Sequence, residues 1–213
     1  MALTETPAGE LGWTAEPFSL REPYGETRSL DELKGENGTV IAFICNHCPY
    51  VKAVADDLAA DARELAKVGV ATIAVMPNDF RAYPDDAPEK MAVFAEAHGF
   101  DFPYLIDESQ AVAKAYGAVC TPDLFGFDRN LKLVYRGRLA EGGINPKPRA
   151  PRDLVEAMKA IAAGGDAPAE QVPSMGCSIK WKPGNAPDSD RPWRGAFVSG
   201  GASSERGSGP RAA

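Results

Sequence analysis

The sequence predicts an α/β fold in three layers, a central sheet with helices on its faces, and three observations carry that prediction. Residues 39–44 and 69–76 are strand-length apolar runs rich in β-branched side chains. Their lack of polar alternation after Thr39 fits strands buried on both faces. Between them, Val51, Val54, Leu58, Ala62 and Leu65 recur at helical spacing. Strand and helix patterns then continue to alternate as far as Gly164-Gly165.

In chain order, Phe18-Ser19-Leu20, Gly25 and residues 29–35 read as a short strand, a turn and one helical turn. The first buried strand leads into Cys45-Asn46-His47-Cys48 and then a helix to about Lys67. Pro49 fits the first turn of that helix, which has no use for its missing N–H. After the second buried strand a helix spans 88–98 and closes at Gly99, and residues 103–106 form a short strand. Asp107 with Gln110 resembles a capping box for a helix ending at Gly117. Residues 124–127 and 131–135 flank Asp128-Arg129-Asn130 as a β-hairpin. Leu154, Val155, Met158 and Ile161 mark the last helix. From Pro183 onward Gly, Ser, Pro and Ala dominate, and despite Trp193 and Phe197 the tail has too little apolar surface to order itself. The expected organisation is a leader (1–17), a main domain (18–165), a Cys-containing packing segment (166–182) and a disordered tail (183–213).

A net charge of −7 with no basic block excludes nucleic acid as a partner. No apolar run approaches the length of a membrane helix. The first 18 residues hold no Lys, Arg or apolar stretch of the kind a secretory signal needs, so a cytoplasmic location is expected. In a reducing compartment, four cysteines are catalytic, metal-binding or inert rather than a structural disulfide framework.

Cys45 and Cys48 therefore dominate the reading. Two thiols two residues apart close a disulfide on themselves and so store two electrons. At a helix start, unpaired N–H groups and the helix dipole would stabilise the first thiolate. Zinc usually requires a second such pair, which this chain lacks.

With strand, Cys-x-x-Cys, helix and a later Thr121-Pro122 in place, the chain resembles the thioredoxin superfamily, in its redoxin (alkyl hydroperoxide reductase/peroxiredoxin-like) branch. The resemblance runs over residues 18–163, from Phe-x-Leu and Ser-Leu-x-x-Leu-x-Gly, through an extra helix–strand insertion at 78–106, to Thr-Pro before the hairpin. It implies a thioredoxin-like fold with a central mixed sheet and the redox pair at the start of the first long helix. It also implies a cis peptide at Pro122 that leaves the Thr121 backbone open to an incoming peptide. Cys45, as the more exposed sulfur, would attack a substrate disulfide, and Cys48 would resolve the mixed disulfide. His47, if cationic, would favour the thiolate and make the pair more oxidising; the alternative is a solvated surface histidine. Ile44 replaces the usual Trp and Thr39 the usual buried carboxylate, which leaves Asp79 and Asp123 as loop residues to accept the Cys48 proton.

Two more thiols stay open to either role. Cys120, beside Thr121-Pro122, is a third redox thiol, a site of glutathione capping or a passive small residue. Cys177, in Ser174-Met175-Gly176-Cys177, either exchanges with the main pair or belongs to a tether that packs Ile179 and Trp181 on the core. His98 reads as a helix-end residue without a catalytic role.

The leading expectation is a thiol–disulfide oxidoreductase, with no cofactor. Its partners would be protein or small-molecule disulfides and a thioredoxin- or glutathione-type electron donor, and its oligomeric state is open. The second is a thiol peroxidase reacting at Cys48, with Cys45 in place of the peroxiredoxin Thr. Against it, Ile41 stands where those enzymes carry Pro, and Thr121-Pro122 where they carry an activating Arg. The third is a metal or iron–sulfur protein using Cys45, Cys48, Cys120 and Cys177, with His47.

Overall fold

In the computed structural model, which describes residues 3–7, 11–145 and 151–187, the chain forms ten strands and five α-helices among those residues. They are β1 (Leu3–Glu5), β2 (Ser19–Arg21), β3 (Thr27–Ser29), α1 (Leu30–Leu33), β4 (Gly38–Phe43), α2 (Pro49–Ala66), β5 (Val70–Met76), α3 (Pro88–Ala97), β6 (Tyr104–Ile106), α4 (Ala111–Tyr116), β7 (Cys120–Thr121), β8 (Asp123–Asp128), β9 (Leu133–Gly137), α5 (Asp153–Ala162) and β10 (Met175–Ser178). A single 3₁₀ turn, Pro84–Asp86, precedes α3.

The main sheet is mixed, in the order β3-β2-β6-β5-β4-β8-β9. β4, β5 and β6 are parallel, whereas β8 pairs antiparallel with β4 and with β9. The period-2 alternation of a strand divides the apolar runs between two cores. Val40 and Ala42 face one core with Ala74 and Met76. Ile41 and Phe43 face the other with Ile73 and Val75. α2, α3 and α5 cover the first face, and α1 and α4 the second. On α2, Leu58 and Leu65 are almost fully buried, each worth about 1.5–3 kcal/mol of transfer free energy. The second core is aromatic, with Tyr116 edge-on to Phe43, Phe125, Phe127 and the leader residue Trp13.

A second sheet, β1-β10-β7, joins the leader and the C-terminal segment beside the main domain. Ile179 is buried and Trp181 packs against the second core. Asn185 donates to the Ser109 carbonyl, so the first residues after Pro183 lie on the domain. The expected disordered tail falls, from residue 188, outside the described residues.

The capping box expected of Asp107 and Gln110 is not formed. Gln110 is itself the N-cap, in the left-handed region (φ 64°), and its amide donates to the carbonyls of Pro77 and Lys180. Asp107 instead accepts the Ala113 N–H at 2.8 Å. The true capping box is on α1, where Ser29 and Glu32 exchange backbone and side-chain bonds.

Candidate active site

Helix α2 begins after the Cys-x-x-Cys rather than within it. Pro49 occupies its first position and Cys48 is the N-cap. The helix start therefore belongs to the second sulfur and not the first, contrary to the expectation from sequence. Pro49 supplies no N–H, so the first-turn donor that faces the Cys48 sulfur is the Val51 N–H, which falls short of a full capping hydrogen bond.

Both sulfurs are completely buried. Cys45 is no more exposed than Cys48, because β10 and the loop before α3 close over the motif. All four cysteines of the chain are thiols in this structure. The Thr121–Pro122 peptide is cis. Thr121 touches both members of the pair: its hydroxyl lies 3.3 Å from Cys45 Sγ, and its carbonyl accepts from Cys48 Sγ at 3.1 Å.

The surroundings polarise the pair. Cys45 beside it is the first cause that holds the Cys48 thiol below the usual thiol range. Burial opposes that shift, while the Cys177 thiol and the N–H groups of Val51 and Cys177 reinforce it. The Thr121 carbonyl is the contact that favours the protonated form. Cys45 is pushed up, first by Cys48 beside it, then by burial and by the negative charge of Asp86.

Asp86, fully buried at the end of the 3₁₀ turn, was not anticipated. Its Oδ1 accepts the N–H groups of Asn46 (2.8 Å) and His47 (3.3 Å). Its Oδ2 accepts from Asn78 Nδ2 (2.8 Å) and lies 2.7 Å from His47 Nδ1. One carboxylate thus fixes the backbone between the two cysteines. Tyr104, also buried, donates to Asn46 Oδ1 at 3.0 Å from below. His47 is spent on Asp86 and stacks on Tyr83 rather than facing Cys48.

The suggested proton acceptors are otherwise engaged. Asp123 pairs with Arg136 at 2.9 Å, an ion pair buried in the core, and Asp79 caps the Arg81 N–H. Arg136 is thereby also unavailable to a thiolate. Cys120 points its sulfur at the Pro122 carbonyl (3.4 Å), and burial drives the thiol strongly upward. With Cys120 turned away, the four cysteines do not form one ligand set. Among the described residues, the group with metal-ligand proximity is Cys45, His47 and Asp86, their atoms within 4.8 Å. Asp86 already accepts four contacts, so a metal there would have to displace them. Cys177, on β10, lies against Cys48. His98 ends α3 and its Nδ1 lies 2.7 Å from Asp56, away from the site.

A groove of about 360 Å³ borders Pro122, lined by Tyr50, Val54, Leu139, Ile144 and Met175 among others. No cysteine lines it, so a reactant must shift β10 or the motif loop to reach sulfur.

Residues 11–136 match the AhpC/TSA family model. A crystal structure of an uncharacterized conserved protein from Geobacillus kaustophilus is 45% identical, covers 86% of this chain and 98% of its own, and superposes with a TM-score of 0.81. The hypothetical protein SMc02350 of Sinorhizobium meliloti is 41% identical, covers 85% of this chain and 100% of its own, with a TM-score of 0.81. The putative peroxiredoxin Rv2521 of Mycobacterium tuberculosis is 27% identical over 124 residues, 58% of this chain and 74% of the relative. Together with the thioredoxin-like sheet, the cis-proline and the thiol pair, these matches establish that the chain belongs to the AhpC/TSA family of redoxins.

Proposed function

We propose that this redoxin is a thiol–disulfide oxidoreductase in which Cys48 is the attacking sulfur and Cys45 the resolving one. This reverses the roles expected from sequence. The observation that carries the reading is the asymmetry of the pair, with donors converging on Cys48 and Asp86 beside Cys45. The Cys48 thiolate attacks a substrate disulfide and releases one substrate thiolate. Cys45 gives up its proton to that leaving group and attacks Cys48 Sγ. A Cys45–Cys48 disulfide forms and the second substrate thiolate departs. Protein or small-molecule disulfides are the substrates, and a thioredoxin- or glutathione-type donor returns the pair to the dithiol.

With Cys177, which lies against Cys48, also replaced by Ser, Cys45→Ser is expected to trap a mixed disulfide on Cys48 and Cys48→Ser to trap none, by mass spectrometry of proteins captured from a lysate prepared without reductant. Trapping on Cys45 in the Cys48→Ser variant would overturn the assignment. A second reading, peroxide reduction at Cys48, draws on the family and on the burial of both sulfurs, which favours a small reactant. In its favour would be oxidation of Cys48 by hydrogen peroxide faster than by oxidised glutathione. Against it, the buried Arg136 is paired with Asp123 rather than turned to Cys48.

A further inference from the structure

The backbone edge beside Pro122, expected to be open to a peptide, is already occupied. β10 pairs there antiparallel to β7, with Cys177 opposite Thr121 and Ser178 opposite Cys120. The approach is so close that a Cβ at Gly176 would lie 2.1 Å from the Thr121 oxygen. The strand is held along its length. Ser174 Oγ donates to the Pro122 carbonyl at 2.8 Å, β1 pairs on the outer side, and the Lys180 N–H donates to Asn78 Oδ1 at 2.8 Å. In this register the thiol and the N–H of Cys177 both face Cys48 Sγ. Cys48 is therefore flanked by two thiols, Cys45 from its own loop and Cys177 from the strand lying where a substrate strand would dock. All three belong to one buried cluster.

We infer that Cys177 is a third redox thiol of this site, which exchanges with the Cys45–Cys48 disulfide to form a Cys48–Cys177 disulfide, so that β10 serves as a built-in substrate strand. The inference rests on Cys48 being the reactive sulfur. In the step, Cys177 attacks Cys48 Sγ, the Cys45–Cys48 bond breaks, and the proton lost by Cys177 ends on Cys45. No net oxidation occurs; the oxidising equivalents come from the disulfide that first oxidised the pair. Were β10 only a tether, Cys177 would stay a thiol throughout.

The test oxidises the full chain with limiting oxidised glutathione, alkylates the remaining thiols, and maps tryptic peptides without reduction. Cys45 and Cys48 fall in peptide 35–52 and Cys177 in peptide 160–180. In Cys45→Ser, the two peptides are expected to be recovered joined, after Cys177 displaces glutathione from Cys48. In wild type, the joined species is expected alongside the internal Cys45–Cys48 disulfide, and Cys177→Ser should retain only the latter. A persistent glutathione adduct on Cys48 with Cys177 alkylated would overturn the inference and leave the proposed function standing. Neither an adduct on Cys48 nor joined peptides in Cys45→Ser, with an adduct forming on Cys45 in Cys48→Ser, would overturn both.

Discussion

Cys45 and Cys48 are two residues apart, yet the groups around them come from opposite ends of the fold. Cys45 faces the insertion between β5 and β6, with Asp86 close to its sulfur and Tyr104 beneath the loop. Cys48 faces the start of α2 and the C-terminal strand β10. Burial raises both thiols, so the difference between them is set by hydrogen-bond direction and charge. Two segments outside the strand–Cys-x-x-Cys–helix unit thus supply groups that bear on the two sulfurs differently.

The largest way to break that contrast is at Asp86. Asp86→Ala leaves the buried N–H groups of the motif loop without their acceptor and should cost about 3 kcal/mol in denaturant unfolding. Asp86→Asn keeps an acceptor oxygen and removes the charge. It should cost less, and Cys45 should titrate at lower pH than in wild type. An unshifted Cys45 would remove Asp86 from the electrostatic account.

On the other side, Gly176→Val drives a side chain into the Thr121 carbonyl. The expected cost is about 2 kcal/mol. Because β10 must lift, Cys48 should then react faster with iodoacetamide while Cys45 changes little. Unchanged alkylation would mean that β10 does not gate the sulfur.

A third way to sharpen it is the pH dependence of the reduced protein. Cys48 is lowered in the fold, so between its lowered pKa and the ordinary thiol value of about 8.5 the unfolded chain holds a proton that the native one has lost. Stability relative to Cys48→Ser should rise with pH across that window and lose this contribution below it. A flat difference would mean that Cys48 is not depressed.

What the sequence disclosed was local. The apolar runs of β4 and β5, the 3.6-residue periodicity of α2 and the Thr-Pro before β8 are each legible within a few residues. Cys48 as N-cap was missed, although Pro49 at the first helical position places the cap one residue earlier. What else escaped depends on long-range contact. Nothing around Pro84-Asp85-Asp86 signals that the fold brings Asp86 to the N–H groups of residues 46 and 47. Gln110 reads as a capping residue until Pro77 and Lys180 claim its amide. Nothing near Cys177 signals that its partner strand ends at Thr121.

The most direct test of the polarised pair is a pH titration of the cysteine ¹³Cβ resonances in the reduced protein, which reads each sulfur without needing access to it. Cys48 should move through its thiol-to-thiolate change on the acid side of the ordinary thiol range, with Cys45 still protonated at neutral pH. A Cys45 resonance that titrates first, with Cys48 remaining a thiol, would contradict the account.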